Sequence, residues 1–268
     1  MKNFYFNIGC FNLFNLHLPH HTFYGNRSYS NTDYDNKKDW INKQLSMMKC
    51  NFIGFQEIFS KKALTEIYQS NPFYKNYQLI IAENSTNLPQ VGFLSSKPII
   101  HFQRYEDFPE ESLLFVDDKK VPITKFRRAV LFAEVSMNSQ NSFYFFVCHL
   151  KSKRPLFKNN ENSKDPKSIA LGQARSLIIR TAEATALRNI ILSKISNNST
   201  PCIVIGDFND YPLAVTTKII TGSKPQKRFK HDEKKIFWDT LLYNVKDIVA
   251  RKSMQDFSYS HIHNGYYE

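Results

Sequence analysis

The run Pro201-Cys202-Ile203-Val204-Ile205-Gly206-Asp207-Phe208-Asn209-Asp210 constrains the fold more than any other stretch. Four apolar residues, three of them β-branched, end in a glycine and give way at once to polar ones. A short continuous apolar run of this kind reads as a buried strand, and such strands deliver functional side chains at their C-terminal ends. Asp207 and Asn209 stand two apart, so an extended backbone projects both to one side. The bland alternative is an Asx-rich turn, because Gly-Asp and Asn-Asp are ordinary turn chemistry. The rest of the chain decides between the two.

Taken in order, Phe4, Phe6, Ile8, Cys10 and Phe14 fall near period two, which predicts a strand over 4–14. Residues 15–35 are rich in Asn, His, Tyr and Ser without helical period, and read as a long loop of the kind that often carries function. His17, His20 and His21 lie in it, but no carboxylate or cysteine stands at a recognisable ligand spacing, so a zinc site is not expected. Helices are predicted over 36–49, from Trp40, Ile41, Leu45 and Met48, and over 60–70. Between them a short strand, 51–55, ends in Gln56-Glu57. Strands follow at 77–82 and 91–95, and 101–125 reads as irregular. Ala129–Ser136 and Phe143–Leu150 make a hairpin across a polar turn. After a polar loop at 151–167, the longest helical pattern runs from Ser168 to Ser196. A short helix is expected at 212–222, and the remainder is polar and aromatic without a clear period. Strands and helices mix without strict alternation and no repeat or linker interrupts them. One α/β domain over 1–268 with a mixed or mostly antiparallel sheet follows.

Composition narrows the partners. Thirty-six Lys and Arg against 24 Asp and Glu leave a formal charge of +12, which suits nucleic acid or an anionic lipid surface as readily as plain solubility. The basic cluster Lys224, Lys227, Arg228, Lys230, Lys234 and Lys235 reads as an exposed loop able to touch phosphates. Eight glycines leave no Gly-rich nucleotide cradle in sight. Cys10, Cys50, Cys148 and Cys202 form no Cys-x-x-Cys pair and read as buried, reduced thiols, which fits a cytoplasmic setting. No apolar stretch approaches the ~18–20 residues that a membrane span needs. Residues 1–12 make a poor signal peptide.

Four polar positions then stand at equivalent places, at or near the C-terminal ends of predicted strands: Asn12, Glu57, His149 and Asp207 with Asn209. A carboxylate buried at a sheet end is costly unless a cation or donors meet it. One such residue is weak evidence, whereas four from separate strands point to a convergent polar site. Cys10-Phe11-Asn12, Gln56-Glu57, His149-Leu150-Lys151-Ser152 and Gly206-Asp207-Phe208-Asn209, in this order, resemble the endonuclease/exonuclease/phosphatase superfamily of metal-dependent phosphoesterases. Val91–Ile99 and Phe126-Arg127-Arg128 look like its intermediate segments, and the resemblance covers nearly the whole chain.

The resemblance implies a four-layered α-β-β-α sandwich with two mixed or antiparallel sheets face to face. It also implies hydrolysis of a phosphodiester by metal-assisted in-line attack of water, with Mg²⁺ or Mn²⁺ as the cofactor. In that reading Glu57 binds the hard cation with Asn12 in support. Asp207 orients or deprotonates the attacking water, and Asn209 holds a phosphate oxygen. His149 donates to the phosphoryl oxygens or protonates the leaving group, and Arg128 contacts phosphate. Nucleic acid is the expected substrate on charge. A phosphomonoesterase, a phospholipid-directed hydrolase and a catalytically inactive anion-binding homologue are the alternatives. The superfamily's last motif is an Asp-His pair, and relatives carry a segment similar to Ser260-His261-Ile262-His263-Asn264-Gly265 shortly before it. By that comparison the expectation is a fragment of a longer enzyme or a native form that has lost the pair, with His261 and His263 leading into the missing segment; their standing in for the pair is the alternative.

Overall fold

The computed structural model describes residues 5–83, 88–253, 262–263 and 266–267, with side chains up to residue 249. In chain order its elements are β1 (Ile8–Leu16), α1 (Asn31–Met48), β2 (Phe52–Ile58), α2 (Lys61–Ser70), β3 (Gln78–Ile81), β4 (Gln90–Ser95), β5 (Ile99–Asp107), β6 (Phe115–Val116), β7 (Lys119–Lys120), β8 (Lys125–Ser136), β9 (Ser142–His149), α3 (Pro166–Ile195), β10 (Cys202–Asp207), α4 (Val215–Thr221), α5 (His231–Thr240), α6 (Val245–Ser253), β11 (Ile262–His263) and β12 (Tyr266–Tyr267). Their contacts divide the chain into two compact units, one of residues 1–107, 125–150 and 200–208, the other of 108–124, 151–199 and 209–268.

The first unit holds both large sheets. One runs β1-β2-β4-β3 and the other β10-β9-β8-β5. Each is mixed. β1 pairs parallel with β2, and β10 pairs parallel with β9, while the remaining neighbours are antiparallel. This is the two-sheet α/β sandwich that the sequence implied. The sheets are held by an aromatic layer in which Phe52 stands 4.8 Å from Phe145, and Phe93 stands 4.9 Å from Phe145, between ring centroids. Val91, Leu131, Val135 and Val147 fill the space around the rings. β2 is apolar on both faces because its odd side packs on helices and its even side on the facing sheet. Gly54 lies on that even side, where an added Cβ would meet Ile205 Cδ1 at 2.6 Å.

The opposite face of the first sheet carries α1 and α2. Ser30 Oγ accepts from the Asp33 backbone N–H and starts α1, while Lys49 in a left-handed conformation ends it. Ser60 Oγ does the same for α2 through Ala63 N–H. Tyr34, Ile41 and Leu45 of α1 pack with Ala63, Leu64 and Ile67 of α2 and with Ile53 and Phe55 of β2. The Tyr74 hydroxyl locks the end of α1, accepting from Cys50 N–H at 2.8 Å and donating to Leu45 C=O at 3.1 Å.

The second unit is built on α3, thirty residues capped by Asp165 with Pro166 in its first turn. Its loop 151–165 is tied down by Arg175, whose two guanidinium nitrogens each reach a Glu161 carboxylate oxygen at 2.6 Å. That pairing holds the Glu161 carboxyl down at about 2. No helix among the described residues is long and apolar enough to cross a membrane. None of the four cysteines is in a disulfide, and only Cys50 and Cys148 are buried. Cys10 is exposed and Cys202 half-buried, because both sit on strands at the ends of their sheets.

Candidate active site

Register delivers the site. In the second sheet, His149 and Asp207 are direct partners across the parallel β9–β10 pair, and Leu150 N–H donates to Asp207 C=O at 2.9 Å. In the first sheet, Asn12 is the partner of Gln56 across the parallel β1–β2 pair, which places Glu57 one step further on. Parallel pairing puts both strands' C-terminal ends at the same end of the sheet. Four polar residues read from separate strands are therefore brought together within the first unit.

Their contacts centre on one amide. Asn12 Nδ2 donates to Glu57 Oε1 at 3.3 Å and to Asp207 Oδ2 at 3.1 Å. His149 Nε2 stands 3.6 Å from the same Asp207 oxygen. Two strained backbones support this. Glu57 has φ +60°, where the β2 register slips, and Gly206 has φ +150°. At Gly206 a Cβ would lie 2.1 Å from the Cys148 carbonyl oxygen, so only glycine lets β10 close on β9 just before Asp207.

His149 is 97% out of solvent contact, and its imidazole is held well below the ordinary histidine value, first by that burial and then by the Arg128 charge. It is neutral at neutral pH. Its Nδ1 is buried with no hydrogen-bond partner among the described residues. Arg128 is half-buried, with Nη1 3.5 Å from the Leu150 carbonyl and Nε likewise unmatched. Asn209 belongs to the second unit and has φ +52°, a left-handed conformation that asparagine tolerates better than most residues. Also in that unit, Lys151 of the His-Leu-Lys-Ser segment turns its ammonium onto the carbonyls of Ser152 and Arg154 and so shapes its own loop. His261 lies outside the described residues, and for His263 only the backbone in β11 is described.

The donor set fits a hard divalent cation. Two carboxylates share one amide donor, and Mg²⁺ takes one or two carboxylates while keeping waters. Among the described residues no group of three or more His, Cys, Asp or Glu is placed as a metal cage. Asn12 presents its nitrogen to the carboxylates, since its Oδ1 accepts from Phe14 N–H at 2.9 Å. In the histidine loop His17 and His21 stack on each other at 5.0 Å, with His17 also over Phe59.

Sequence reasoning missed Tyr29 and Lys37, which lie close enough to Glu57 to feel its charge. Neither carries a motif. Tyr29 sits in the loop after β1 and Lys37 on a helix, and only the fold brings them to the strand ends.

No family model and no curated protein matches the chain. Solved structures do. An endonuclease/exonuclease/phosphatase family protein from Bacteroides thetaiotaomicron is similar at 14% identity and a TM-score of 0.50, over 79% of this chain and 66% of that one. A beta-hairpin deletion mutant of beta toxin from Staphylococcus aureus is similar at 14% identity and a TM-score of 0.52, over 81% and 72%. Sphingomyelinase C from Streptomyces griseocarneus is similar at 11% identity and a TM-score of 0.52, over 79% and 66%. The chain spans about two thirds of the length of these proteins. The likeness is one of fold: this chain has the fold of those proteins, an endonuclease/exonuclease/phosphatase family protein among them.

Proposed function

We propose that the protein hydrolyses phosphoesters with the help of Mg²⁺ or Mn²⁺, and that its substrate is a phosphodiester of nucleic acid. The observation that carries this is the Asn12 amide held between the Glu57 and Asp207 carboxylates with His149 beside them. Such an arrangement is expensive to maintain for packing alone. It is what a site needs to hold a cation and a water against a phosphoryl group.

A bound cation would supply charge stabilisation at the phosphoryl oxygens, with Glu57 as its holder. The chain's own residues do the rest. Asn12 fixes both carboxylates. Asp207, a third exposed at its side chain, orients the attacking water and accepts its proton. His149, kept neutral, donates a hydrogen bond to the phosphoryl group and is not the leaving-group acid in the resting protein. Arg128 meets phosphate from the His149 side. The net charge of +12 favours a polyanionic substrate over a small one.

The test is turnover of single- and double-stranded DNA and RNA in Mg²⁺ or Mn²⁺. Chelation abolishes it, Asp207→Ala lowers kcat by about 10²–10⁴-fold, and Glu57→Ala raises the metal concentration required. Turnover of a phosphomonoester or a phospholipid instead of nucleic acid would move the substrate assignment. Binding to DNA without turnover, unchanged by Glu57→Ala, would replace the enzyme with an anion-binding protein.

A further inference from the structure

Asn12 can serve the site only if its amide is turned the right way, and the structure shows what turns it. Just before its last residue, Leu16, β1 carries two consecutive left-handed residues, Phe14 at φ +48° and Asn15 at φ +62°, where its pairing with β2 slips. Non-glycine residues rarely adopt this conformation, and two in a row need external support. The Phe14 ring is 71% exposed, so packing of that side chain in the core does not supply it. The support is polar. Lys37 Nζ donates to the Phe14 carbonyl at 2.7 Å, and the Tyr29 hydroxyl reaches the carbonyls of Phe14 and Asn15 at 3.1 Å each. On its other side, Phe14 gives its N–H to Asn12 Oδ1 at 2.9 Å. Pinning the oxygen aims the nitrogen at Glu57 and Asp207.

Lys37 is suited to the task. Its ammonium lies over the rings of Tyr29, at 5.1 Å, and Phe14, at 5.5 Å. Burial lowers its affinity for a proton, and the Glu57 charge opposes that loss. A neutral donor in its place would hold the carbonyl without balancing Glu57.

We propose that Lys37 is a positioning residue of the active site, clamping the left-handed end of β1 through the Phe14 carbonyl so that the Asn12 amide is fixed between Glu57 and Asp207. Its consequence for catalysis rests on the phosphoester reading above, whereas its consequence for Asn12 does not.

Two readouts keep these apart. The first is the Asn12 side-chain NH₂ pair in the ¹⁵N spectrum of the full chain, identified by its loss in Asn12→Asp. In Lys37→Met this pair moves to the position of a solvated amide, in Lys37→Arg it stays, and both variants melt close to the wild type. The second is steady-state kinetics. Lys37→Met lowers kcat or metal affinity by about 10–100-fold, as loss of a residue that orients a ligand does, with KM within about twofold, and Lys37→Arg restores most of it. An Asn12 pair that does not move in Lys37→Met overturns the proposal. Should Lys37→Met fail to fold, Tyr29→Phe removes the other donor to the same carbonyl and must shift the same pair, and an unmoved pair there overturns it equally. If the pair moves but the wild type turns over no phosphoester, the positioning stands and the phosphoester reading falls.

Discussion

Burial fixes the charge of His149, and that has a consequence for stability. Its imidazole is held well below the ordinary value in the folded protein, because the ring is out of water and Arg128 faces it. In the unfolded chain it returns to about 6.5. Between those two values the unfolded chain binds more protons than the folded one, so stability rises with pH across the window. The contribution is complete above about pH 6.5 and is lost as pH falls from there towards the folded value. The melting temperature of the wild type is therefore expected to drop between pH 7 and pH 5, and His149→Gln should flatten that part of the profile. An equal slope in both proteins would show that His149 titrates alike in the two states. Gly206 belongs to the same scale. Its φ of +150° and the Cys148 carbonyl against its α-carbon leave no room for a side chain, so the position of Asp207 depends on it.

Elements succeed here where their ends are chemically marked. In the second unit, α3 and the segment after β10 are joined by a nearly buried pair, Arg180 Nε to Asp210 Oδ2 at 3.1 Å. Burial pushes the Asp210 carboxyl up, but the Thr216 hydroxyl at 2.6 Å and the Arg180 charge outweigh it and hold the carboxyl below its usual range. Arg180→Leu removes one charged donor and leaves the carboxylate with the Thr216 hydroxyl, the Tyr211 N–H and the Lys153 ammonium, 3.7 Å from Oδ1, so it is expected to cost about 1.5–3 kcal/mol in urea unfolding. Restoring much of that loss by adding Asp210→Asn would confirm that the carboxylate's lost guanidinium partner is the cause. The same logic decides what the sequence revealed. β2, β4, β8 and β9 were legible because their apolar runs are buried, and α2 and α3 because an apolar stripe repeats at helical spacing. β10 was legible from its β-branched run, but as the edge strand of its sheet it is half-buried along its whole length rather than the fully buried strand that the run suggests. β5 was read as irregular because it is an edge strand, mostly exposed, whose Arg104, Glu106 and Asp107 carry no alternation. Its partner β8 makes it a strand. α1 begins at Asn31 rather than near residue 36, and the signal was present in Ser30 and Asp33, a cap three residues ahead of an acid. α5 buries no residue, so no stripe announces it. Asn12, Glu57, His149 and Asp207, which the fold gathers together, were legible as a set because each stands in or at the end of a readable strand. Lys37 was not, because its partner is a backbone carbonyl reached only through a left-handed turn.

At the scale of the whole molecule the informative quantity is charge. A surplus of twelve positive charges on 268 residues acts on any polyanion through counterion release, whatever the sequence of that polyanion. Exposed Lys224, Lys227, Arg228, Lys230 and Lys235, in and beside the start of α5, are available for it. A protein that meets even three or four phosphates loses at least about tenfold in affinity between ~50 and ~200 mM salt. A small phosphomonoester engages one phosphate inside a site, and its KM should change by less than about threefold over the same range. Measured in Mg²⁺ at fixed pH on a single-stranded oligonucleotide, a steep salt slope supports the nucleic-acid assignment, and a flat one removes the main reason for it. Anionic lipid would give a steep slope too, so the oligonucleotide assay is repeated with vesicles of zwitterionic and of anionic lipid as competitors. A protein built for nucleic acid is displaced by neither zwitterionic vesicles nor, at matched charge concentration, by anionic ones as strongly as by unlabelled DNA. Displacement by anionic vesicles at least as strong as by DNA would instead make a membrane surface the polyanion this charge serves, and would turn the search for substrate towards phospholipid.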